Sequence, residues 1–258
     1  MQRRLFLGSL LSASLPADSE TPVRRARPVR LFKSPDGAPN ALEATPDGLW
    51  VGEQVTDRAY LLDWKTGKVL QRVDTESSNT SGMAYGGGYL WMGANGRALM
   101  REQRPGELTY GRIVQVDPRT GRTVKVHRSP DGGGVHGLVY ADDSLFFTSF
   151  QWNTITRVHP ETFEVISKFP LLHSRPHGLA YDPPAMWVGY SNDFVFVRQD
   201  LKDGHATEIV AIDKGGELDP HGFDMYQGTM YVTDAGIAPP GVLSHSPGTG
   251  YIFRLEFD

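Results

Sequence analysis

The sequence predicts an all-β fold built from repeated four-stranded units. The first observation is a recurring His-Gly dipeptide, which opens short apolar stretches at His136, His177 and His221, 41 and 44 residues apart. The second is the apolar segment that follows each copy at a fixed distance, such as Met-Trp-Val at 186–188. The third is the composition, since 29 glycines and 10% aromatic residues suit many short strands joined by tight turns. Self-similarity with a period near forty residues is typical of repeat architectures.

Two further units precede these three, with another residue in place of histidine. Asn40 and Ser81 occupy the equivalent positions, and each leads to a second apolar segment that contains tryptophan. The interval of 55 residues between Ser81 and His136 is longer than the others because the second unit contains an insertion over residues 96–110. The five equivalent positions, here named the leader residues, are Asn40, Ser81, His136, His177 and His221.

Each unit continues with two further segments around a turn. Residues 112–116 and 154–158 alternate apolar and polar side chains, which is the period of a half-buried strand. The sequence Asp-Pro-Arg-Thr-Gly at 117–121 supplies residues that favour a turn. Four antiparallel strands in a repeat of this length describe one blade of a β-propeller, so a single β-propeller is predicted.

The ends of the chain predict how the ring closes. The last unit stops after its third strand, residues 251–256, and therefore lacks a fourth. Residues 29–37 resemble the fourth strand of the second unit, residues 124–132, and both segments end in Ser-Pro-Asp-Gly. Pairing the first strand with the last blade would remove two exposed strand edges at once. We therefore predict five four-stranded blades over residues 28–258, closed by an N-terminal strand.

The first residues of the chain indicate export. Arg3-Arg4 followed by Leu-Phe-Leu resembles the twin-arginine motif of bacterial export signals. The apolar stretch that follows is too short to span a bilayer, which favours a cleavable signal over a membrane anchor. We expect residues 1–17 to be a twin-arginine-type signal peptide, residues 18–27 to be a linker, and the protein to be periplasmic or secreted. The alternative is a frayed basic tail.

Charge and cysteine content narrow the functional classes. The formal net charge of −4 provides no basic surface for nucleic acid. The chain has no cysteine, so neither disulfides nor thiolate metal ligands contribute. Because a closed ring hides its own strand edges, we expect a monomer that binds a small-molecule or peptide-like substrate.

Propeller geometry predicts that the leader residues meet. The first strand of each blade lines the central channel, so the leaders form a ring at one mouth, with the three histidines on consecutive blades. Neutral imidazoles that converge on one point make a site for a divalent transition metal, whose identity the sequence leaves open. Carboxylates such as Glu53, Asp219 or Asp234 could orient the rings. The alternative is structural, with each histidine bonded to the neighbouring blade.

A wider ring is expected on the same face, where the second strands end at Glu53, Ala94, Ser149, Tyr190 and Asp234. Two long loops, residues 96–111 and 235–250, flank this face, and loops of this length are often functional. The alternative is that they are tolerated surface insertions. The predicted substrate contacts are Asn40, Ser81, Ser149, Tyr190, Asp234, Arg101 and His245.

The blade sequences resemble a known family. Pro-His-Gly-Leu-Ala-Tyr at 176–181, followed by Met-Trp-Val-Gly at 186–189, is similar to the blades of virginiamycin B (streptogramin) lyases, and more broadly to those of NHL-type and SMP-30-type propellers. The lyase resemblance implies that a divalent metal polarises a carbonyl and a histidine removes the adjacent proton, which opens an ester by elimination. It implies His221 as the base, assisted by His177, with Asp219 and Glu53 near the metal. The broader resemblance implies metal-assisted lactone hydrolysis instead.

Two functions stay open on the sequence. The first is an exported metal-dependent propeller enzyme that opens an ester or lactone bond at the mouth of the channel, by elimination or by hydrolysis. The second is a non-enzymatic periplasmic propeller that binds or scaffolds a peptide, a sugar or a protein. Propellers host both classes, so the fold alone does not choose between them.

Overall fold

The computed structural model describes residues 21–238, 242–243 and 246–258. All the regular secondary structure within these ranges consists of β-strands, which confirms the predicted all-β class. Among the same residues there is no helix long and apolar enough to span a bilayer. The predicted signal peptide, residues 1–17, lies outside the described ranges.

Within the described residues the strands follow one another in five blades. Strand β1 spans Val23–Lys33. Blade 1 consists of β2 (Pro39–Thr45), β3 (Gly48–Glu53), β4 (Arg58–Leu62) and β5 (Val69–Asp74). Blade 2 consists of β6 (Thr80–Gly86), β7 (Tyr89–Asn95), β8 (Gly111–Val116) and β9 (Thr123–Arg128). Blade 3 consists of β10 (Val135–Ala141), β11 (Ser144–Ser149), β12 (Thr154–Val158) and β13 (Val165–Pro170).

The last two blades follow the same order. Blade 4 consists of β14 (Pro176–Asp182), β15 (Ala185–Tyr190), β16 (Val195–Asp200) and β17 (Ala206–Ala211). Blade 5 contains β18 (Phe223–Tyr226), β19 (Thr229–Thr233) and β22 (Tyr251–Phe257). A short hairpin, β20 (Ile237–Ala238) and β21 (Val242–Leu243), lies between β19 and β22.

Strand β1 closes the ring, as the sequence predicts. It pairs antiparallel with β22 from Ala26 opposite Phe257 to Lys33 opposite Tyr251, and so becomes the fourth strand of blade 5. Its first residues also pair in parallel with β17 of blade 4, Val23 opposite Ile209. The predicted boundary is therefore wrong, because residues 23–27 belong to the sheet and not to a linker. The parallel pairing and an ion pair between Arg24 and Glu208, at 3.0 Å, hold this segment in place.

The core lies between the blades. Strand β3 and its equivalents are buried on both faces, while outer strands such as β5 and β13 are largely exposed. One apolar cluster joins Trp50 and Ala59 of blade 1 to Met83 and Met92 of blade 2. Each blade thus packs one face of its sheet against the preceding blade and the other face against the following blade. Because the ring is closed, the inner strands are buried on both faces.

The glycine after a leader residue permits neighbouring blades to approach at the channel. A Cβ atom at Gly82 would lie 1.7 Å from the carbonyl oxygen of His136, and one at Gly137 would lie 2.2 Å from that of His177. No residue with a side chain fits at those distances. The glycine of the His-Gly dipeptide therefore sets the spacing of the blades.

Two buried carboxyl groups lie at the opposite end of the channel from the leaders. Asp224 accepts a hydrogen bond from the backbone N–H of Ala44 over 2.7 Å, and Glu43 interacts in the same way with the N–H of Tyr85. Each carboxyl group thus bonds to the first strand of the next blade. Burial raises the pKa of Asp224 to about 7, and burial together with the nearby Asp224 raises the pKa of Glu43 well above its usual value.

Deletion of residues 1–33 should abolish cooperative unfolding or lower Tm by at least about 10 °C. The deletion removes β1 and exposes the edges of β22 and β17. Thermal unfolding followed by circular dichroism measures the effect, with deletion of residues 1–20 as the control. Equal Tm values for the two truncated proteins would contradict ring closure by β1.

The stability of the wild-type protein relative to Asp224→Asn should fall as the pH rises from about 4 to about 7. In that range the folded state keeps a proton that the unfolded carboxyl group, with an ordinary pKa near 4, has already released, so a rise in pH favours unfolding. Urea unfolding across the range should show the variant gaining up to a few kcal/mol on the wild type. The exposed substitution Asp213→Asn serves as the control, and parallel pH profiles for wild type and Asp224→Asn would disprove the expectation.

Candidate functional site

The five leader residues meet at one mouth of the central channel. The ring centroids of His136 and His177 lie 4.7 Å apart, as do those of His177 and His221. Asn40 donates a hydrogen bond from Nδ2 to Oγ of Ser81 over 3.2 Å, which continues the ring through blades 1 and 2. A cavity of only about 10 Å³, room for about one water molecule, lies between the first strands. The leaders therefore form the floor of the mouth.

The imidazole of His136 is held by the amide of Asn95. Nδ2 of Asn95 donates to Nε2 of His136 over 2.6 Å, which assigns the ring proton to Nδ1. This Nδ1 is buried and has no partner among the described residues. A Cβ atom at Gly134 would lie 1.6 Å from the amide oxygen of Asn95, so glycine is required there for Asn95 to reach the histidine. Burial lowers the pKa of His136 to about 3, so that the ring is neutral.

The other two imidazoles are bonded to groups in blades 4 and 5. Nδ1 of His177 bonds to Oγ of Ser191, which itself donates to a backbone carbonyl. Both ring nitrogens of His221 lie against carbonyl oxygens, Nδ1 at 2.9 Å from Asp219 and Nε2 at 2.8 Å from Ile237. Burial lowers the pKa of His177 well below its ordinary value.

This arrangement of imidazoles does not fit a metal centre. The rings stack with interplanar angles of 15° and 32°, so their nitrogen atoms lie along the edges of the stack and do not converge. No group of three or more His, Asp or Glu side chains in the described part of the chain is arranged to hold a metal ion. A metal at His221 would require this ring to give up its contact with the carbonyl oxygen of Asp219 or of Ile237. The metal roles predicted for the three histidines therefore stay predictions.

The predicted carboxylates Glu53 and Asp234 hold loops of their own blades. Glu53 is fully buried and accepts from the hydroxyl of Ser34 and, over 2.8 Å, from the N–H of Ala38. Asp234 is equally buried and accepts from the N–H of Asp219 over 2.9 Å. Both acids thus bind an N–H two residues before a leader, which shapes the entry to the first strand.

Ser149 and Tyr190, two predicted substrate contacts, lie inside blades. The hydroxyl of Ser149 bonds to that of Thr156 over 2.7 Å, and Tyr190 donates to Gln199 over 2.7 Å. The groups that bond around the mouth come one position later, at Gln54, Asn95 and Ser191. Sequence reasoning missed them because both faces of each second strand are buried, so that polarity does not tell which face points to the channel.

Amide side chains form the wall of the mouth on blades 1 and 2. Nε2 of Gln54 donates to Oδ1 of Asn79 over 2.6 Å, and Nδ2 of Asn79 donates to the carbonyl oxygen of Asn95 over 3.3 Å. The amide oxygens of Asn40 and Gln54 are buried, and neither has a partner in the ranges that the structure describes. This wall therefore contains two hydrogen-bond acceptors that no described group satisfies.

Arg175 and Asp219 occupy equivalent positions on the rim, each two residues before a histidine leader. Nη2 of Arg175 donates to the carbonyl oxygen of Ile237 over 3.2 Å and lies 3.4 Å from Nε2 of His221. Burial lowers the pKa of Arg175 and raises that of Asp219, and each charge opposes the shift of the other group. The Arg175 guanidinium has no carboxylate within 4.0 Å among the described residues. Two opposite charges thus share the rim without forming an ion pair.

The backbone of Arg175 is strained. Its φ angle is 53°, in the left-handed region, which costs a residue with a Cβ atom about 1 kcal/mol. Asn79, at the equivalent position of blade 2, has a φ angle of 52°, and asparagine tolerates this conformation better. Blade 4 thus carries an arginine at a position where asparagine would be less strained.

Arg101, another predicted substrate contact, fastens the long insertion to the blades. Its guanidinium bonds to the fully buried Asp57, from Nε over 3.0 Å, and to Glu107, from Nη1 over 3.1 Å. Arg104 adds a contact to Asp57 over 3.1 Å. The insertion lies between β7 and β8, as the sequence predicts, but its Arg101 and Arg104 are occupied by these carboxylates. The predicted contact His245 lies outside the described residues.

Comparison with known proteins shows the fold. No family model and no curated protein matches the sequence. The structure is similar to that of Myxococcus xanthus glutaminyl cyclase, with a TM-score of 0.64 and 11% sequence identity over 91% of this chain and 98% of the cyclase. It is also similar to Staphylococcus aureus virginiamycin B lyase, with a TM-score of 0.50 and 18% identity over 87% of this chain and 68% of the lyase.

The same similarity holds for a catalytically inactive variant of the lyase with quinupristin. The chain is thus a β-propeller of the type found in these two proteins, as the sequence resemblance predicts. At these identities the likeness concerns the fold.

We expect the purified protein to retain no stoichiometric zinc after dialysis against zinc and then against buffer, because each of the three rings has a nitrogen bonded to a protein group and the rings stack on one another. Elemental analysis measures the retained metal. His177→Ala and the exposed substitution His159→Ala form the test pair. One retained equivalent that disappears in His177→Ala, but not in His159→Ala, would contradict the stacked arrangement and support the metal hypothesis.

Proposed function

We propose that the mouth of the channel binds the amino-terminal residue of a peptide-like substrate and catalyses an intramolecular acyl transfer of the glutaminyl cyclase kind. The observation that carries the proposal is the rim pair Arg175 and Asp219, a cation and a carboxylate without an ion pair above a floor of imidazoles. The similarity to glutaminyl cyclase over nearly the whole of both chains supports this choice of reaction by analogy.

The reaction sets clear demands on a site. The α-amine of an N-terminal glutamine attacks the carbon of its own side-chain carboxamide. A new C–N bond closes a five-membered lactam, the carboxamide C–N bond breaks, and ammonia leaves with the proton that the amine gives up. Negative charge develops on the carboxamide oxygen during the attack. The site therefore needs a proton acceptor near the amine and a hydrogen-bond donor near that oxygen.

Asp219 and Arg175 supply these two groups. The Asp219 carboxylate would accept the proton of the attacking amine and pass it to the leaving ammonia, and burial raises its pKa, which makes it a better proton acceptor. The Arg175 guanidinium would donate to the carboxamide oxygen, where one well-placed donor contributes a rate factor of about 10²–10³. The strained backbone of Arg175 fits a side chain that is kept for such a role.

The amide wall would position the substrate. The oxygens of Asn40 and Gln54 are buried acceptors without a partner among the described residues, and peptide N–H groups would satisfy them once these amide side chains turn toward the mouth. Nδ1–H of His136 is a buried donor that likewise has no partner among the described residues. A peptide-like ligand, which carries N–H and C=O groups side by side, matches this mixed set of acceptors and donors.

The metal-dependent opening of an ester or lactone is the second candidate. The similarity to virginiamycin B lyase favours it, together with the three histidines on consecutive blades. The placement of the ring nitrogens does not favour it, because those of His221 lie against carbonyl oxygens. For either reaction, export through a twin-arginine signal would place the enzyme in the periplasm or outside the cell.

The purified protein should release ammonia from a peptide with N-terminal glutamine, but not from a peptide with glutamine at its second position. Arg175→Asn should lower kcat/KM at least about 100-fold, because the donor to the carboxamide oxygen is lost. Its Tm should stay the same or rise, because asparagine relieves the left-handed strain. Asp219→Asn should also abolish turnover, and the exposed substitution Arg25→Asn is the control.

Other outcomes identify other functions. Opening of quinupristin without ammonia release from the glutaminyl peptide would replace the proposal with the second candidate. Saturable peptide binding without turnover in the wild-type protein would support a non-enzymatic binding propeller. Full activity in Arg175→Asn would contradict the role of the rim pair.

A further inference from the structure

A second cleft lies at the opposite end of the propeller from the leader residues. Its volume is about 380 Å³, and it opens between blades 2 and 3 beside the turn that joins β6 to β7. The walls include the rings of Tyr89, Trp91 and Tyr140, and the rim includes Gln115, Lys125 and Glu161. We propose that this cleft binds a neutral saccharide ring, independently of any reaction at the channel mouth.

The other blades show why the cleft is open in blade 2. On the second strand of every blade an aromatic residue packs toward the next blade, and a residue of the third strand lies opposite it. The pairs are Trp50 with Leu61, Trp91 with Gln115, Phe146 with Arg157, Trp187 with Arg198, and Tyr231 with Arg254. Blade 2 thus carries glutamine where blades 3, 4 and 5 carry arginine.

The arginines of blades 3 and 4 cover this space. The guanidinium of Arg157 lies 5.1 Å from the ring centroid of Phe146, and its Nη2 donates to the carbonyl oxygen of Asp142 over 3.4 Å. Arg198 donates from Nε to the carboxylate of Asp182 over 2.6 Å. The shorter side chain of Gln115 cannot extend as far. The cleft of blade 2 thus lies where Gln115 replaces the arginine that covers the equivalent space in blades 3 and 4.

The walls of the cleft are rigid and partly exposed. The ring of Tyr140 stacks on Trp91 at a centroid distance of 6.2 Å, and Tyr89 meets Trp91 edge-on at 6.4 Å. Trp91 itself is fixed by a hydrogen bond from Nε1 to the carbonyl oxygen of Gly86 over 3.0 Å. Tyr89 and Tyr140 keep part of their surface open to the cleft. They provide an apolar surface on which the C–H face of a pyranose can lie.

The rim supplies both donors and acceptors with no net charge. Gln115 offers an amide N–H₂ and an amide oxygen, Lys125 offers an ammonium group, and Glu161 offers a carboxylate. Nζ of Lys125 donates to the backbone carbonyl oxygen of Glu161 over 2.6 Å, which holds the ammonium group at the rim. A ligand with an apolar face and an edge of hydroxyl groups matches this composition. The volume of the cleft is within the range of binding sites for small molecules.

The experiment uses the whole protein and three neutral disaccharides, maltose, cellobiose and diacetylchitobiose, in a titration followed by NMR at the indole N–H of Trp91. At least one of them should shift this signal in a saturable way. Gln115→Arg, which copies blades 3 and 4, should weaken binding at least about tenfold with unchanged Tm. Tyr89→Ala, which removes one wall of the cleft, should also weaken binding at least about tenfold. The exposed substitution Gln151→Arg should leave binding unchanged.

Three results would overturn the inference. A Trp91 signal that none of the three disaccharides shifts would exclude neutral saccharides as the ligand class. Saturable binding of indole or phenol without saccharide binding would assign the cleft to aromatic groups. Saccharide binding that survives in both Gln115→Arg and Tyr89→Ala would place the site elsewhere.

Discussion

The close approach of neighbouring first strands at the channel is the constraint on which the rest of the structure depends. After the leader, blades 2 to 4 have room only for glycine, as at Gly137, where a Cβ atom would lie 2.2 Å from the carbonyl oxygen of His177. Once the strands are this close, the leader side chains stack at 4.7 Å. A metal centre needs nitrogen atoms that converge, and a stack of this kind does not provide them. The narrow ring of five thus turns three histidines into a stacked floor.

The same closeness determines how polar groups are satisfied inside the channel. A buried polar group needs a hydrogen-bond partner, and at the channel the nearest partner is often the next blade. Asn95 of blade 2 therefore bonds to His136 of blade 3, and Asp224 of blade 5 bonds to the backbone of blade 1 at Ala44. The polar channel residues thus join successive blades, in addition to the apolar clusters between them. A change of residue type in one blade consequently acts on the blade that follows it.

The sequence predicts the features that depend on the backbone pattern, but it does not predict those that depend on how side chains pack. The repeat period predicts five blades, the closing strand and the meeting of the leaders, because these follow from strand order alone. The start of β1 at Val23 was missed because its parallel pairing with β17 leaves no alternating pattern in a segment rich in arginine. Nothing in the sequence shows the pairing of Arg101 with Asp57, which lies 44 residues earlier in the chain. The orientation of the imidazoles depends on the distance between blades, which a repeat period does not contain.

Because the blades repeat, each residue can be compared with the residues at the equivalent positions of the other blades. A residue that differs from its equivalents is not required by the blade architecture and is a candidate for a function. Blade 2 has Asn79 and blade 4 has Arg175 at the same place with nearly the same φ angle, so the backbone does not require arginine there. Blade 2 likewise has Gln115 where blades 3 and 4 have an arginine that covers the aromatic residue. The blade architecture is therefore compatible with a covered aromatic residue and does not by itself require the cleft of blade 2. One departure places a charge on the rim of the mouth, and the other opens a cavity at the opposite end of the molecule. Because the two positions lie on different blades and share no described contact, a change at one should not affect binding at the other.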